Sequence, residues 1–149
     1  MTVRPASITD LKPLLHLHRS VFGAAAFNAY VLRQQLDAFA DLQWVAEDSD
    51  GNLAGCISGA IEQPTGSGWI WALAVHPEYR GQRLGERLSR QLLATLAEYG
   101  SEHVRLTVSP GNRAAIRLYE RLGFEQQEVV TDYFGAGEDR IIMLHEMSK

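Results

Sequence analysis

Residues 69–75, WIWALAV, are almost wholly apolar, and this run limits the possible folds more than any other stretch of the chain. A strand that carries apolar side chains at successive positions is buried on both faces, so it belongs in the centre of a sheet. His76 and Pro77 end the run, and the segment HPEYRGQRLGERL carries the chain through a loop into a helix. Gly81 and Gly85 punctuate that loop. Leu84, Leu88, Leu92 and Leu96 then recur at four-residue spacing, with Leu93 widening the stripe, which is the pattern of a helix packed on one face. Gly100 closes it.

The remaining periodicities build around this unit. Residues 2–6 read as a short strand, and Ser7 caps a helix with apolar positions at Ile8, Leu11, Leu14, Leu15 and Leu17. Gly23 ends or loosens that helix, and a second helical pattern runs through Tyr30, Val31, Leu32, Leu36 and Phe39. Residues 42–47 and 53–62 read as strands joined by the hairpin turn Asp48-Ser49-Asp50-Gly51-Asn52. After the central unit come a strand at 103–108, a helix at 114–122 and strands at 124–131 and 140–145. The order β-αα-βββ-α-β-α-ββ implies an α/β (α+β) fold. It has a mixed, mostly antiparallel sheet of about seven strands, with helices on both faces, as one domain over residues 1–149.

Composition narrows the function. No apolar run approaches the roughly 20 residues a membrane span needs, and the N-terminus enters polar sequence directly, so no membrane or export role is expected. Cys56 is the single cysteine, set among apolar neighbours, which suits a buried thiol in a reducing compartment, the cytoplasm. The net charge of -4 argues against nucleic acid as a partner. Against that trend, residues 79–90 hold four arginines and one glutamate, Glu86. A locally positive site in an acidic protein suits a small anionic ligand.

The loop after the apolar run has two readings. A helix N-terminus presents unpaired N–H groups and the positive end of a dipole, so a glycine-punctuated loop there can cradle phosphate. Arginine and glycine also occur at ordinary helix starts. No glycine-lysine-serine/threonine ending follows, and a three-glycine dinucleotide loop would follow the first strand, so two familiar nucleotide loops are excluded. Arg83 stands where a third glycine would be usual. A negative φ is expected there, as in any first helical turn, leaving an arginine unstrained. Further on, Asn112 and Tyr119 are seven apart and so share one helix face, roughly 10 Å apart. Asn112 is either a helix cap or a ligand contact, and Tyr119 either a core tyrosine or a groove residue.

Together, LAVHPEYRGQRLGERL and NRAAIRLYERLGF resemble the GNAT superfamily of acyl-CoA-dependent N-acetyltransferases, with some likeness to ribosomal-protein alanine and other N-terminal protein acetyltransferases. The resemblance implies acetyl-CoA as cosubstrate and no metal. It places the pantetheine arm against the backbone of Leu73, Ala74 and Val75 and near Asn112. It places the pyrophosphate on the amides of Arg80, Gly81, Gln82, Arg83, Leu84, Gly85 and Glu86. It makes Tyr119 the catalytic acid for the leaving thiolate, with a backbone N–H near Leu73 stabilising the oxyanion. Thr107 stands where ribosomal-protein alanine acetyltransferases carry a glutamate base. Glu62, His103 and Glu128 are alternative bases or plain strand-end residues, and a water relay would need no dedicated base.

The acceptor follows the same resemblance. DYFGAGEDRIIM is similar to the YY-xxx-ED-A-xxM pattern of N-terminal protein acetyltransferases, matching at Tyr133, Glu138, Asp139 and Met143. Phe134 replaces the second tyrosine and Arg140 the alanine. An aromatic beside acids would suit a peptide backbone or a cationic amine, and a plain hairpin loop is the other reading. Tyr133, Glu62 and Tyr30 are the candidate substrate contacts. Three functions are left open: acetylation of a protein or peptide α-amine, acetylation of a small amine, or silent acyl-CoA binding. A homodimer is compatible with the class.

Overall fold

The computed structural model describes residues 1–147. The elements are β1 (Thr2–Pro5), α1 (Leu11–Phe22), α2 (Ala29–Ala38), β2 (Gln43–Glu47), β3 (Leu53–Ile61), β4 (Gly68–Val75), α3 (Leu84–Glu98), β5 (His103–Val108), α4 (Arg113–Arg121), β6 (Glu125–Val130) and β7 (Arg140–Glu146). Short 3-10 turns precede α1 and β2 and follow α1 and β4. The strands form one seven-stranded sheet in the order β1-β2-β3-β4-β5-β7-β6. Among the described residues, β4 and β5 are the one parallel pair of neighbours. The element order and the mixed sheet are those read from the periodicity.

Each face of the sheet carries its own core. Leu84, Leu88, Leu92 and Leu96 of α3 and Tyr119 and Leu122 from the α4 segment pack with Ile57, Ile70, Val104 and Leu106. On the opposite face, Leu14 and Leu17 of α1 and Leu32 and Leu36 of α2 pack over Val45, Cys56 and Ala74. Cys56 is 4% exposed, and burial pushes its thiol up to about 12, so it stays protonated and inert.

The α3 leucines approach the sheet closely because strand glycines lie beneath them. A Cβ on Gly55 would lie 3.0 Å from a Leu88 methyl carbon, one on Gly59 2.9 Å from Leu92, and one on Gly68 2.8 Å from Leu96. Each leucine fills the space a side chain would have needed.

β4 departs from the sequence expectation in one respect. It is not buried along both faces: Trp71 is 46% exposed, and Ala72 and Leu73 are only half-buried. The cause is the sheet beside it, which opens where the site lies.

Candidate active site

The parallel pairing of β4 with β5 is confined to Gly68 with Val104 and Trp69 with Arg105. On its other side, β4 stays paired to β3 as far as Val75 opposite Gly55. Beyond residue 69, the two parallel strands therefore splay apart. A strand edge inside a protein still needs hydrogen-bonding partners, and Leu73, Ala74 and Val75 lie along this stretch. A bulge accompanies the opening. Ser58 faces Ala72 and Gly59 faces Ile70, which leaves Trp71 as the extra residue. Its ring stands edge-on to Phe39, with centroids 5.8 Å apart.

The loop beyond β4 brings free amides to the same end of the sheet. The first backbone bond into α3 runs from the Arg87 N–H to the Arg83 carbonyl, at 3.1 Å, so the amides preceding Arg87 start the helix without intrahelical partners. Gly81 has a φ of 83° and open space where a Cβ would stand. Arg83 is the N-cap of α3, with φ 58° and ψ 24°, in the left-handed region. This corrects the negative φ expected at that position: the helix begins at Leu84, and residue 83 is the turn that feeds it. The backbone there has the shape that favours glycine, although an arginine occupies it.

The side chains around the loop are partly engaged with one another. Glu86 takes Arg90 at 3.1 Å and Arg83 at 3.4 Å, and the Arg90 bond leads in holding its carboxyl below the usual range. Arg80 Nε donates to the Val75 carbonyl at 3.3 Å. Leu84 is 3% exposed and belongs to the core, so it offers the site its backbone alone, whereas Gln82 is exposed. A Cβ on Gly85 would lie 3.3 Å from Leu118 and 3.6 Å from Leu73, so this glycine lets α3 close against α4 and β4. The N–H groups and the dipole of the fifteen-residue α3 suit a pyrophosphate.

A cleft of about 330 Å³ lies between the splayed strands. Ile70, Trp71, Ala72 and Leu73 line it from β4, and Leu106, Thr107 and Val108 from β5. Asn112, Ala115 and Tyr119 line it from the α4 side. Asn112 is also a cap: its Oδ1 accepts the Ala115 N–H at 3.2 Å, leaving the carboxamide NH2 for a ligand. The cap reading is thus shown, and the same residue also lines the cleft. Tyr119 is 7% exposed, and burial alone raises its pKa above the ordinary tyrosine value, so it enters the cleft as a protonated donor.

The acceptor side contains a residue that sequence reasoning missed. His18 of α1 lines the cleft together with Phe22 and Phe27, and both phenyl rings stand 5.3 Å from its imidazole. It is 2% exposed, and burial lowers its pKa to about 4, so it is neutral at pH 7. The signal was its spacing, since a histidine four residues after Leu14 falls on the buried stripe of α1. His18 also borders an internal cavity of about 10 Å³, shared with Gln35, Trp44 and Ser58. His18 Nδ1, Gln35 Nε2, Trp44 Nε1 and Ser58 Oγ are all buried there without hydrogen-bond partners.

The three candidate substrate contacts, Tyr30, Glu62 and Tyr133, do not line this cleft. Tyr30 is 80% exposed and outside the cleft lining. Glu62 accepts from Trp69 Nε1 at 3.2 Å and pairs with Arg105 at 3.6 Å, beside the paired end of β4 and β5. Tyr133 packs edge-on against Phe134 at 4.7 Å, and it is Phe134, with Arg140, that lines the cleft. His103 and Glu128 are also absent from that lining. Among the described residues, no group of three or more His, Cys, Asp or Glu could hold a metal ion, and no helix is long and apolar enough to cross a membrane.

The comparisons with known proteins agree with this geometry. The model of the acetyltransferase (GNAT) family matches residues 11–124. An N-alpha-acetyltransferase of Sulfurisphaera tokodaii is 30% identical over 152 residues, covering 95% of this chain and 90% of that protein. Naa20 of Chaetomium thermophilum, solved with a bisubstrate analogue, superposes with a TM-score of 0.86 at 27% identity, over 99% of this chain and 87% of that one. The ribosomal-protein-S18-alanine N-acetyltransferase from Escherichia coli superposes with a TM-score of 0.82 at 25% identity, over 99% and 94% of the two chains. A splayed β4–β5 pair, free amides at the start of α3 and a buried tyrosine facing the gap thus coincide with a match over most of the sequence, and the chain belongs to the acetyltransferase (GNAT) family, as an N-acetyltransferase that uses acetyl-CoA.

Proposed function

We propose that this enzyme acetylates the α-amine at the N-terminus of a protein or peptide. The observation that carries the reading is the cleft, open between β4 and β5 and lined by Tyr119 and His18 at once. The N-alpha-acetyltransferase among its relatives supports an α-amine as the acceptor. Leu73, Ala74, Val75 and Asn112 would hold the pantetheine arm, and the backbone from Arg80 to Glu86 the pyrophosphate. Acetyl-CoA supplies an activated acetyl thioester to that site.

Each cleft residue then has a task that its environment suits. The Tyr119 hydroxyl keeps its proton until a thiolate develops beside it, which is the behaviour of a general acid. Thr107 lines the cleft but has no basic group, so it cannot take a proton from the amine. His18 is the imidazole in the cleft lining, but burial that lowers its pKa to about 4 makes it a weak base. It therefore serves as a relay that passes the amine proton on to water as the new C–N bond makes the nitrogen more acidic. A backbone N–H near Leu73 stabilises the carbonyl oxygen. The buried thiol of Cys56 suits the reducing cytoplasm, and a homodimer is compatible with this function.

The experiment is a mixed panel of peptides and small amines incubated with the protein and acetyl-CoA, read by mass. Acetylated peptide N-termini support the proposal. Acetylation confined to small amines replaces the acceptor class. A rise in melting temperature with acetyl-CoA but no product makes the chain a silent binder.

A further inference from the structure

We propose that the acceptor carries a carboxylate close to its amine and that Arg140 recognises it. This rests on the cleft being the acceptor site. Among the described residues, Arg140 is the ionisable cation lining the cleft apart from His18, which is neutral at pH 7, and no aspartate or glutamate lines it. A site for a polyamine or a lysine side chain would present acids to the ligand. This one presents a guanidinium.

The acids of the neighbouring loop serve the loop itself. Asp139 Oδ1 accepts the Asp132 N–H at 2.9 Å, and Asp132 Oδ1 accepts the Gly137 N–H at 2.8 Å. Glu138 pairs with Arg140 Nη2 at 3.1 Å. The acids of this loop, which beside an aromatic would suit a peptide backbone or a cationic amine, do not line the cleft. Phe134 and Arg140 reach it instead, and these are the two positions where the segment parts from the N-terminal acetyltransferase pattern.

Arg140 is placed to bind an anion. Its guanidinium carbon lies over the Phe134 ring, 5.1 Å from the centre, a cation–π contact that helps hold the side chain at the cleft. A guanidinium has five N–H donors. One Nη1–H goes to the Asp139 carbonyl at 2.7 Å and one Nη2–H to Glu138, so donors remain for a carboxylate. The Glu138 carboxylate is 55% exposed and sits in water, where an ion pair is weak and readily exchanged for a ligand oxygen held in the cleft. The carboxylate has two chemical sources: an acidic side chain near a peptide N-terminus, or the α-carboxylate of a free amino acid.

Steady-state acetylation by the full chain tests this with matched acceptors. One set is a peptide with aspartate, asparagine or lysine as its second residue, and the other is glutamate against its α-amide. Wild type is expected to favour the carboxylate-bearing member of one set by about tenfold or more in kcat/KM, and the set that shows it identifies the source. Arg140→Ala should remove the preference through KM, Arg140→Lys should restore part of it, and Arg140→Glu should turn it toward the lysine peptide. Inversion of preference is a readout that loss of packing cannot mimic, and melting curves with acetyl-CoA establish that each variant is folded. Acetylation without a carboxylate preference, or a preference that survives Arg140→Ala, overturns the inference and leaves the acetyltransferase reading standing. Failure to acetylate any acceptor, in these sets or in the wider amine panel, overturns both.

Discussion

Tyr119 stands edge-on to Phe124, with ring centroids 5.7 Å apart and planes inclined at 66°, while the same tyrosine lines the cleft. The ring belongs to the core and the hydroxyl is the part that chemistry can use. Tyr119→Phe keeps the aromatic contact and deletes the proton donor. The expected result is a fall in kcat of about 100-fold with acetyl-CoA affinity within about twofold of wild type. Unchanged turnover by the phenylalanine variant would remove Tyr119 from the mechanism.

Arg83 and Gly85 separate backbone shape from packing. Left-handed backbone at a residue with a Cβ costs about 1 kcal/mol, so Arg83→Gly should stabilise the fold by about that amount in urea unfolding. Arg83→Ala keeps the strain and removes a supporting charge, and it should weaken acetyl-CoA binding by only a few fold. Gly85→Val drives a branched side chain toward Leu118, Leu73 and Val75 and should abolish measurable binding. Calorimetric titration ranks the two binding variants, and a larger loss from the alanine would refute the main-chain account of the cradle.

Gly59 lies beneath Leu92 so closely that a Cβ would stand 2.9 Å from both leucine methyl carbons and from the Trp69 carbonyl oxygen. Gly59→Ala must push α3 outward or force Leu92 off its rotamer, and it should destabilise by about 1–3 kcal/mol. Gly51→Ala, where nothing lies within 4 Å, is a control for loss of a positive φ without a clash. Similar losses at the two sites would show that packing is not the cause at Gly59.

His18 sets an acid limit on stability. Its folded-state pKa of about 4 lies below the ordinary 6.5, so the unfolded chain binds the proton more tightly. Its neutral burial is therefore fully compatible with folding above pH 6.5, and stability is lost as the pH falls from 6.5 toward 4, by on the order of 2 kcal/mol. His18→Leu should flatten that part of the stability profile and also lower turnover. A slope between pH 6.5 and 4 that persists in the leucine variant would place its origin elsewhere.

The cavity behind His18 should hold an ordered water. Its volume of about 10 Å³ is of one-water scale, and four polar atoms around it have no partner within the chain. A high-resolution crystal structure should show density within hydrogen-bond distance of His18 Nδ1 and Ser58 Oγ. Apolar repacking of the cavity with no such density would contradict this.

Much of this molecule is readable from local pattern. The four-residue leucine spacing of α3, the turn at Asp48–Asn52 and the apolar run ending at Val75 each act within a few residues, and they suffice for the element order. The spacing of Asn112 and Tyr119 likewise brings both to one cleft, because a helix repeats every 3.6 residues. Tyr30, Tyr133 and Glu62 lie outside that lining, because exposure, a loop's internal bonding and a cross-strand ion pair depend on neighbours distant in sequence.

Periodicity and turn residues thus determined the order of elements, and two motif segments, LAVHPEYRGQRLGERL and NRAAIRLYERLGF, carried the family resemblance. Tertiary structure alone decided that β4 and β5 part after two paired residues, that Arg83 is left-handed, and that His18 and Arg140 line one cleft with Tyr119. The reason is physical: secondary structure answers to contacts a few residues apart, whereas a cleft is made where two strands fail to pair, and that depends on everything packed around them.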